Sequence, residues 1–286
     1  AFSVTKSYYG TLAEILIAEG ALSETALVSS YIPELATSGF GDATVRQVLD
    51  MTTALDYSED YTDPGAGIAA FGVASGLLPP PPGYSGPRGS YDYLPTVAGN
   101  GKHGQGFTYR SVNTEVLGWI IARVTGKPAH QVLSERIWSK LGADHGADIM
   151  VDPTGAGIAA GGLNLTLRDM ARFGEMMRLG GRYNGQQIVP RAVVDKIRAG
   201  GSKSDFAQAG YRWLPGWSYR SQWWVTHNTH GAYTARGVHG QAIWIDPRAE
   251  MVIVRFASHP KASNANFEDV SLPAYQAVAE HLMGKR

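Results

Sequence analysis

The sequence has no cysteine, which excludes disulfides, thiolate metal ligands and a cysteine nucleophile. Charged residues make up only 17%, and the formal net charge is zero. Nothing in this balance provides the basic surface that nucleic acids or anionic membranes require. No apolar run approaches the length that crosses a bilayer, and no signal peptide is visible. These absences favour a soluble protein without nucleic-acid or membrane partners. They leave the compartment open, with the cytoplasm slightly favoured.

The composition is that of a globular chain with a sizeable core. The chain has 286 residues, of which 44% are hydrophobic and 10% aromatic, enough for one large domain or two closely packed lobes. Helical patterns dominate residues 1–205, whereas residues 206–286 are richer in strands and end in a helix. This order predicts an α+β fold, since strands and helices do not alternate. We expect residues 1–286 to form a single catalytic unit.

Hydrophobic spacing, caps and turn residues predict the individual elements. Helices are predicted over residues 3–20, 44–55, 65–78, 112–124, 129–141, 163–173, 190–199 and 271–283. Strands are predicted at 241–245 and 251–256, joined by a turn at 246–249. Asn184-Gly185 predicts a tight turn between short strands. Residues 79–106 hold four consecutive prolines and many glycines, so they predict a long irregular segment of the kind that often forms a lid or wall.

The first helix carries Ser3 and Lys6 near its start. A serine in this position is normally an N-cap, because its hydroxyl accepts an unpaired backbone N–H. Lys6, however, lies three residues on and shares a helix face with Ser3. A desolvated lysine can give up its proton and act as a general base toward a neighbouring hydroxyl. Ser3-x-x-Lys6 therefore indicates a nucleophile and its base, with the N-cap as the alternative.

Several further motifs, in matching order, resemble the serine β-lactamase-like hydrolases of the class C and DD-peptidase type. They are Ser3-x-x-Lys6, the segment 44–52, Tyr109-x-Ser111 running into 117–128, the segment 160–173, and 237–241 before a strand. The resemblance is distributed over nearly the whole chain. It implies a β-lactamase/transpeptidase-like fold in which a helical lobe packs on an antiparallel sheet flanked by helices, with the site between them.

Three departures from the family pattern are similar to the 6-aminohexanoate-dimer-hydrolase branch and its carboxylesterase relatives. Ser111 stands where the second motif usually has Asn, Gly237-x-His239-Gly240 replaces the Lys-Thr-Gly motif, and an acidic loop carries Tyr61. The first two changes also make β-lactams poor candidate substrates. In this family the sheet uses strands that precede the Ser-x-x-Lys helix. We therefore expect the complete protein to have an upstream segment, without which residues 1–286 would expose an unpaired strand edge and fold poorly.

The resemblance implies a role for each matching residue. Ser3 would form an acyl-enzyme, Lys6 would remove its proton, and Tyr109 would relay a proton to the leaving group. Without its partners, Tyr109 would simply be an aromatic residue packed before the next helix. Ser111 is either part of this hydrogen-bond network or the cap of the helix that follows.

The remaining candidate residues would bind substrate. The oxyanion would be held by the backbone N–H of Ser3 and by one N–H from Val238 to Gln241, where Gly240 lets the backbone approach closely. His239 is either a ligand contact or a satisfied polar residue. Tyr61 would contact the scissile amide nitrogen, the alternative being an exposed loop tyrosine. Two larger sets of residues each have two interpretations. The carboxylates of the acidic loop either attract an amine group of the substrate or are simply solvated; they are Asp56, Glu59, Asp60 and Asp63. The tryptophans at 213–224 either line the pocket or pack in the core.

Together these residues predict a serine hydrolase acting on a small amide or ester, without a cofactor. A carboxylesterase or D-stereospecific peptidase on the same scaffold remains open, as does a catalytically silent penicillin-recognising protein. His227, His230 and His259 lack the spacing of a metal motif, so we expect no metal site. A homodimer also stays open.

Overall fold

The computed structural model describes residues 1–284. Its α-helices are α1 (Val4–Ala18), α2 (Val28–Tyr31), α3 (Val45–Leu49), α4 (Gly67–Ala74), α5 (Ser90–Tyr93), α6 (Val112–Thr125), α7 (Ala129–Arg136), α8 (Leu167–Arg178), α9 (Arg191–Ala199), α10 (Lys203–Gln208) and α11 (Glu268–Gly284). Its 3-10 turns are Pro33–Leu35, Leu94–Thr96, Trp138–Lys140, Val238–Gly240 and Asn264–Asn266. Among the helices of this described part, none combines the length and apolar composition needed to span a bilayer.

The strands form one main sheet and two small hairpins. They are β1 (Asp148–Ile149), β2 (Leu163–Asn164), β3 (Arg182–Tyr183), β4 (Gln186–Gln187), β5 (Ser218–Arg220), β6 (Trp223–Val225), β7 (Tyr233–Gly237), β8 (Gln241–Asp246) and β9 (Met251–Arg255). The main sheet runs β5-β6-β7-β8-β9 with every neighbouring pair antiparallel. Its register places Ala235 opposite Ile243, and Ile243 opposite Val254. Within residues 1–284, β9 forms one edge of this sheet.

Helix α1 lies at the centre of the molecule. Every residue from Val4 to Leu16 is buried, including Lys6 and Glu14, so the helix is packed on all sides rather than along one apolar stripe. It packs against α6, α7 and α9 on one side and against β6, β7 and β8 on the other. The start of α1 is therefore fixed between the helical lobe and the sheet.

Helices cover both faces of the sheet. Helix α8 packs on β8 and β9, on the face where Ile243 and Ile245 join the main core. On the opposite face, the Trp244 ring lies 5.3 Å from that of Tyr275 in α11, within a second core that also contains Phe107 and Trp224. The predicted α+β architecture, with a helical lobe on an antiparallel sheet flanked by helices, is confirmed.

Most local predictions are confirmed, but several boundaries are wrong. The helix predicted over 163–173 begins only at Leu167, because Leu163–Asn164 forms a strand and the Thr166 hydroxyl accepts the Asp169 N–H as N-cap. The helix predicted over 44–55 ends at Leu49, before Met51 adopts a positive φ of 53°. The segment 79–106 is not wholly irregular, since it includes α5 and a 3-10 turn. Asn184 and Gly185 both have positive φ, as the predicted tight turn requires.

Candidate active site

Ser3 and Lys6 meet at the start of α1. Lys6 Nζ donates a hydrogen bond of 2.9 Å to Ser3 Oγ. Both residues are buried, with Lys6 2% exposed and Ser3 9% exposed. The Ser3 side chain makes no capping hydrogen bond to α1. The N-cap interpretation of Ser3 is therefore wrong, and its hydroxyl is directed at the lysine instead.

The surroundings of Lys6 favour loss of its proton. Burial lowers the pKa of Lys6 to about 8, while the carboxylates of Glu59 and Glu115 act in the opposite direction. Lys6 Nζ also donates to the Ala160 carbonyl at 2.5 Å. A lysine with such a pKa is partly neutral near physiological pH, as a general base must be.

Tyr109 completes the cluster around Ser3. Its ring centroid lies 5.3 Å from Lys6 Nζ and packs against Trp224 with a centroid separation of 5.6 Å. Burial, followed by the negative charge of Glu59, raises the pKa of the Tyr109 hydroxyl well above its usual range, and a hydrogen bond with Ser3 opposes this rise. Tyr109 is thus a protonated phenol beside the serine hydroxyl, which suits a proton donor.

Ser111 does not contact Ser3 or cap its helix through its side chain. Its Oγ donates to Glu59 Oε1 and its backbone N–H to Glu59 Oε2 at 2.9 Å, whereas its side chain makes no capping hydrogen bond to α6. Tyr61 donates its hydroxyl to the same Glu59 Oε1 at 2.7 Å. Of the acidic loop residues, Glu59 is therefore not merely solvated, because it ties the Tyr61 loop to the start of α6.

The segment Val238–Gly240 faces Ser3 from the end of β7. His239 has a φ of 59° and donates from Nδ1 to the His259 carbonyl at 2.7 Å. The backbone N–H of His239 donates to the Ala262 carbonyl, and that of Gly240 to Asn264 Oδ1. These bonds occupy the N–H groups of His239 and Gly240, and Gln241 belongs to β8 and does not line the cleft. Within the predicted segment Val238–Gln241, the N–H of Val238 is therefore the candidate oxyanion donor.

Several of these residues line one cleft of about 800 Å³, whereas Lys6, Ser111 and Gly240 are not among its lining residues. Its lining includes seven predicted or neighbouring residues of the site: Ser3, Glu59, Tyr61, Tyr109, Gly237, Val238 and His239. Trp213 and Trp224 also line it, whereas Trp217 and Trp223 lie in the two cores. Both interpretations of the tryptophans thus apply, and Trp224 meets both, because it lines the cleft and also belongs to the second core.

Four residues near the site escaped the sequence analysis as functional candidates. They are Glu115, Ala160, Arg236 and Asn264. Glu115 is fully buried, and its carboxylate accepts the Ala160 N–H at 2.7 Å. The signal for it was present, since it is the single charged residue in the apolar run of α6 from Val112 to Ile121. Asn264 has no such signal, because it reaches Gly240 from a distant loop.

The histidines considered for a metal have separate partners. His227 Nε2 lies 2.7 Å from Ser218 Oγ, and His230 Nδ1 lies 2.7 Å from Asp246 Oδ2. The His259 ring stacks on Phe267 at 3.8 Å. Over residues 1–284, no cluster of three or more histidine, aspartate or glutamate side chains has a geometry that could hold a metal ion.

Comparisons with known proteins identify the family. The β-lactamase family model matches residues 1–272. The 6-aminohexanoate-dimer hydrolase of Paenarthrobacter ureafaciens is 42% identical over 259 residues, which are 90% of this chain and 65% of that protein. The chain thus spans just under two thirds of the length of this relative.

Solved structures with a similar fold point to the same family. A structure from Bacillus anthracis, assigned provisionally as a 6-aminohexanoate-dimer hydrolase, is 35% identical with a TM-score of 0.89, over 99% of this chain and 72% of that one. A D-stereospecific amidohydrolase from a Streptomyces species shares the fold at 18% identity, with a TM-score of 0.64 over 88% of this chain and 79% of that one. The order of motifs, the Ser3–Lys6 geometry and the family match lead to one conclusion: the chain belongs to the β-lactamase family.

Proposed function

We propose that this chain is the catalytic part of a serine hydrolase that cleaves amide or ester bonds through an acyl-enzyme on Ser3. The observation that carries the proposal is the 2.9 Å hydrogen bond between Lys6 Nζ and Ser3 Oγ inside a substrate-sized cleft. Burial of a lysine costs folding free energy, because its charged form is poorly solvated in the interior. A buried lysine beside a buried serine therefore indicates a functional role. The lowered pKa of Lys6 fits the role of general base.

In the acylation step, neutral Lys6 takes the Ser3 Oγ proton as Oγ attacks the substrate carbonyl carbon. The carbonyl oxygen becomes an oxyanion, for which the backbone N–H groups of Ser3 and Val238 are the donors. Preorganised donors of this kind commonly contribute a few kcal/mol to the transition state. The hydrogen bonds of His239 and Gly240 support this role, because they hold the Val238 segment in place before substrate arrives.

Breakdown of the tetrahedral intermediate requires a proton on the leaving group. Tyr109 donates its phenolic proton to the leaving nitrogen or oxygen, and the protonated Lys6 restores it, so the two act as a coupled pair. The C–N or C–O bond then breaks, leaving the acyl group on Ser3. Water hydrolyses this ester by the same route in reverse, with Lys6 and Tyr109 again moving the proton.

For the substrate, we favour a linear amide with an amine end. The relative from P. ureafaciens is named for hydrolysis of the 6-aminohexanoate dimer, and Glu59 supplies a carboxylate in the cleft of this chain. Tyr61, held by Glu59 at 2.7 Å, lies at the same wall. In the structure the single phenolic proton of Tyr61 goes to Glu59. We infer that on substrate binding it turns to the scissile amide nitrogen before Tyr109 protonates that atom, which frees Glu59 to attract the cationic end of the substrate.

Two measurements test the proposal. A fluorophosphonate probe should label the wild-type chain rapidly and Ser3→Ala not at all, whereas a silent binding protein would remain unlabelled. Hydrolysis of the linear 6-aminohexanoate dimer should then be compared with that of p-nitrophenyl acetate. Turnover of the ester alone would instead support a carboxylesterase on this scaffold.

A further inference from the structure

Ala160 uses both of its backbone polar groups to connect two buried charges. Its N–H donates to Glu115 Oε1 at 2.7 Å, and its carbonyl accepts from Lys6 Nζ at 2.5 Å. Glu115 belongs to α6 and Lys6 to α1, so one residue of a third segment spans the two helices. Movement of the Glu115 carboxylate would therefore shift the carbonyl that holds Lys6 beside Ser3.

Glu115 is an unusual residue for its position. It is 2% exposed, and an ionised carboxylate in such a place is costly unless paired or hydrogen-bonded. Burial raises the pKa of Glu115 to about 7, although the Ala160 N–H and the Lys6 charge act to lower it. The titratable groups that face it from the elements around it are Lys6 and Tyr9 of α1, Tyr57 after α3, Tyr91 of α5 and Asp152.

A second cavity borders Glu115. It has a volume of about 630 Å³, and Glu115, Trp119, Arg123 and His130 contribute to its walls. The residues that line it differ from those that line the cleft around Ser3. Glu115 thus borders a cavity that is separate from the catalytic cleft.

We propose that Glu115 is a positioning residue that, through Ala160, fixes Lys6 Nζ beside Ser3 and controls how readily Lys6 becomes neutral. This inference rests on the proposed function of Lys6 as general base. An ionised Glu115 attracts the Lys6 ammonium and, together with Glu59, favours its protonated form, whereas a neutral group at this position favours the neutral lysine that acts as base. The two groups then titrate as a pair.

The test uses Glu115→Gln, which keeps an oxygen to accept the Ala160 N–H but removes the charge. The first measurement is the titration of Lys6, followed by NMR of ¹³C-labelled lysine and assigned with Lys6→Arg. We expect the Lys6 titration to move to lower pH by about half a unit or more. This measurement does not depend on hydrolysis. The inference about Glu115 can therefore fail while the proposed function holds, and the proposed function can fail while the inference holds.

The second measurement is the pH dependence of fluorophosphonate labelling at Ser3. In Glu115→Gln the rise in labelling rate should move to lower pH together with the Lys6 titration. Asp169→Asn is the matched control, because Asp169 is also buried but hydrogen-bonds at the start of α8 and pairs with Arg172. It should leave both profiles where they are in the wild type.

Glu115→Asp separates position from charge. It keeps the charge but withdraws it from the Ala160 N–H by one methylene, so labelling should slow several-fold while the Lys6 titration stays close to wild type. A folded Glu115→Gln with wild-type titration and wild-type labelling would overturn the inference. If Glu115→Gln does not fold, Glu115→Asp decides, since labelling at the wild-type rate would equally overturn it.

Discussion

Ser111 and Glu59 are joined by two hydrogen bonds, from the Ser111 hydroxyl and from its backbone N–H to the two carboxylate oxygens. The carboxylate therefore lies at the N-terminus of α6, where negative charge is favourable. The same carboxylate holds the Tyr61 hydroxyl at 2.7 Å and influences the pKa of Lys6. The hydrogen bonds of Ser111 thus connect it to Glu59 rather than to Ser3.

Tyr61→Phe should slow amide hydrolysis more than ester hydrolysis. An amide nitrogen is a poor leaving group and benefits from a hydrogen-bond donor, whereas an activated ester needs little help. The ratio of kcat/KM for the 6-aminohexanoate dimer to that for p-nitrophenyl acetate should fall roughly tenfold or more.

Tyr84→Phe is the matched control for this change. Tyr84 also lies in a loop and donates its hydroxyl, in this case to the Pro87 carbonyl at 2.9 Å, but it does not line the cleft. Loss of the Tyr84 hydroxyl should leave the ratio of the amide kcat/KM to the ester kcat/KM unchanged. An equal loss on both substrates in Tyr61→Phe would show that Tyr61 only packs its loop.

Ser3→Ala should abolish labelling and turnover, and Lys6→Ala should reduce both by at least about 10⁴-fold, because nucleophile and base act as a unit. The matched control is Ser7→Ala. Ser7 is another buried serine of α1, whose hydroxyl donates to the Gln222 carbonyl at 2.7 Å. Substantial hydrolysis by purified Ser3→Ala would contradict the assignment of the nucleophile.

The rate of Ser3 labelling should rise with pH and level off above about 8. Lys6 is the base only when neutral, and its pKa is lowered to about 8. Below that value the neutral fraction, and with it the rate, should fall roughly tenfold for each pH unit. A stopped-flow profile between pH 5 and pH 10 measures this, and a flat profile would exclude Lys6 as the base.

Tyr109→Phe should preserve the fold but lose most turnover. The phenylalanine ring keeps the packing on Trp224, whose centroid lies 5.6 Å away, but it has no proton to pass on. We expect a loss in kcat of about 10²-fold to 10⁴-fold. Thermal melting serves as the control, since a large drop in Tm together with the loss would mean that the hydroxyl is structural.

The contact between Ser3 and Lys6 could be predicted from the sequence because its geometry is local. Ser3 and Lys6 lie on one turn of one helix, so their spacing alone places the side chains together. The family order then brought in Tyr109 and the segment Val238–Gly240, which no local rule would have connected to α1. The strands β8 and β9 were likewise predicted from alternation and a turn.

The partners that tertiary structure supplies were not predictable in this way. Ser111 was interpreted as a helix cap or a member of the network around Ser3, and its actual partner Glu59 lies 52 residues earlier. Ala160 fell within a recognised motif, yet its two hydrogen bonds depend on how α1 and α6 pack. Long-range hydrogen bonds of this kind leave no periodic signal in the sequence.

Gly240→Ala should both destabilise the chain and reduce activity. Gly240 has a φ of 91°, and an added Cβ would lie 2.2 Å from His259 Cδ2. The imidazole of His259 cannot easily move away, because it stacks on Phe267 at 3.8 Å. Overpacking of this kind typically costs about 1–3 kcal/mol in addition to the backbone strain, and it would shift the neighbouring Val238 from its place opposite Ser3.

Gly20→Ala provides the control that separates strain from crowding. Gly20 has a similar φ of 75°, but an added Cβ would have nothing within 4 Å. The free energy of unfolding of Gly20→Ala should therefore fall only by the cost of a left-handed backbone at alanine, about 1–2 kcal/mol. Labelling of Ser3 should stay at the wild-type rate. Urea denaturation of both variants measures the difference in the free energy of unfolding, and labelling measures the effect on the site. If Gly240→Ala matches Gly20→Ala in both, the Val238–Gly240 segment is adaptable, and Val238 is then not the rigid oxyanion donor that we propose.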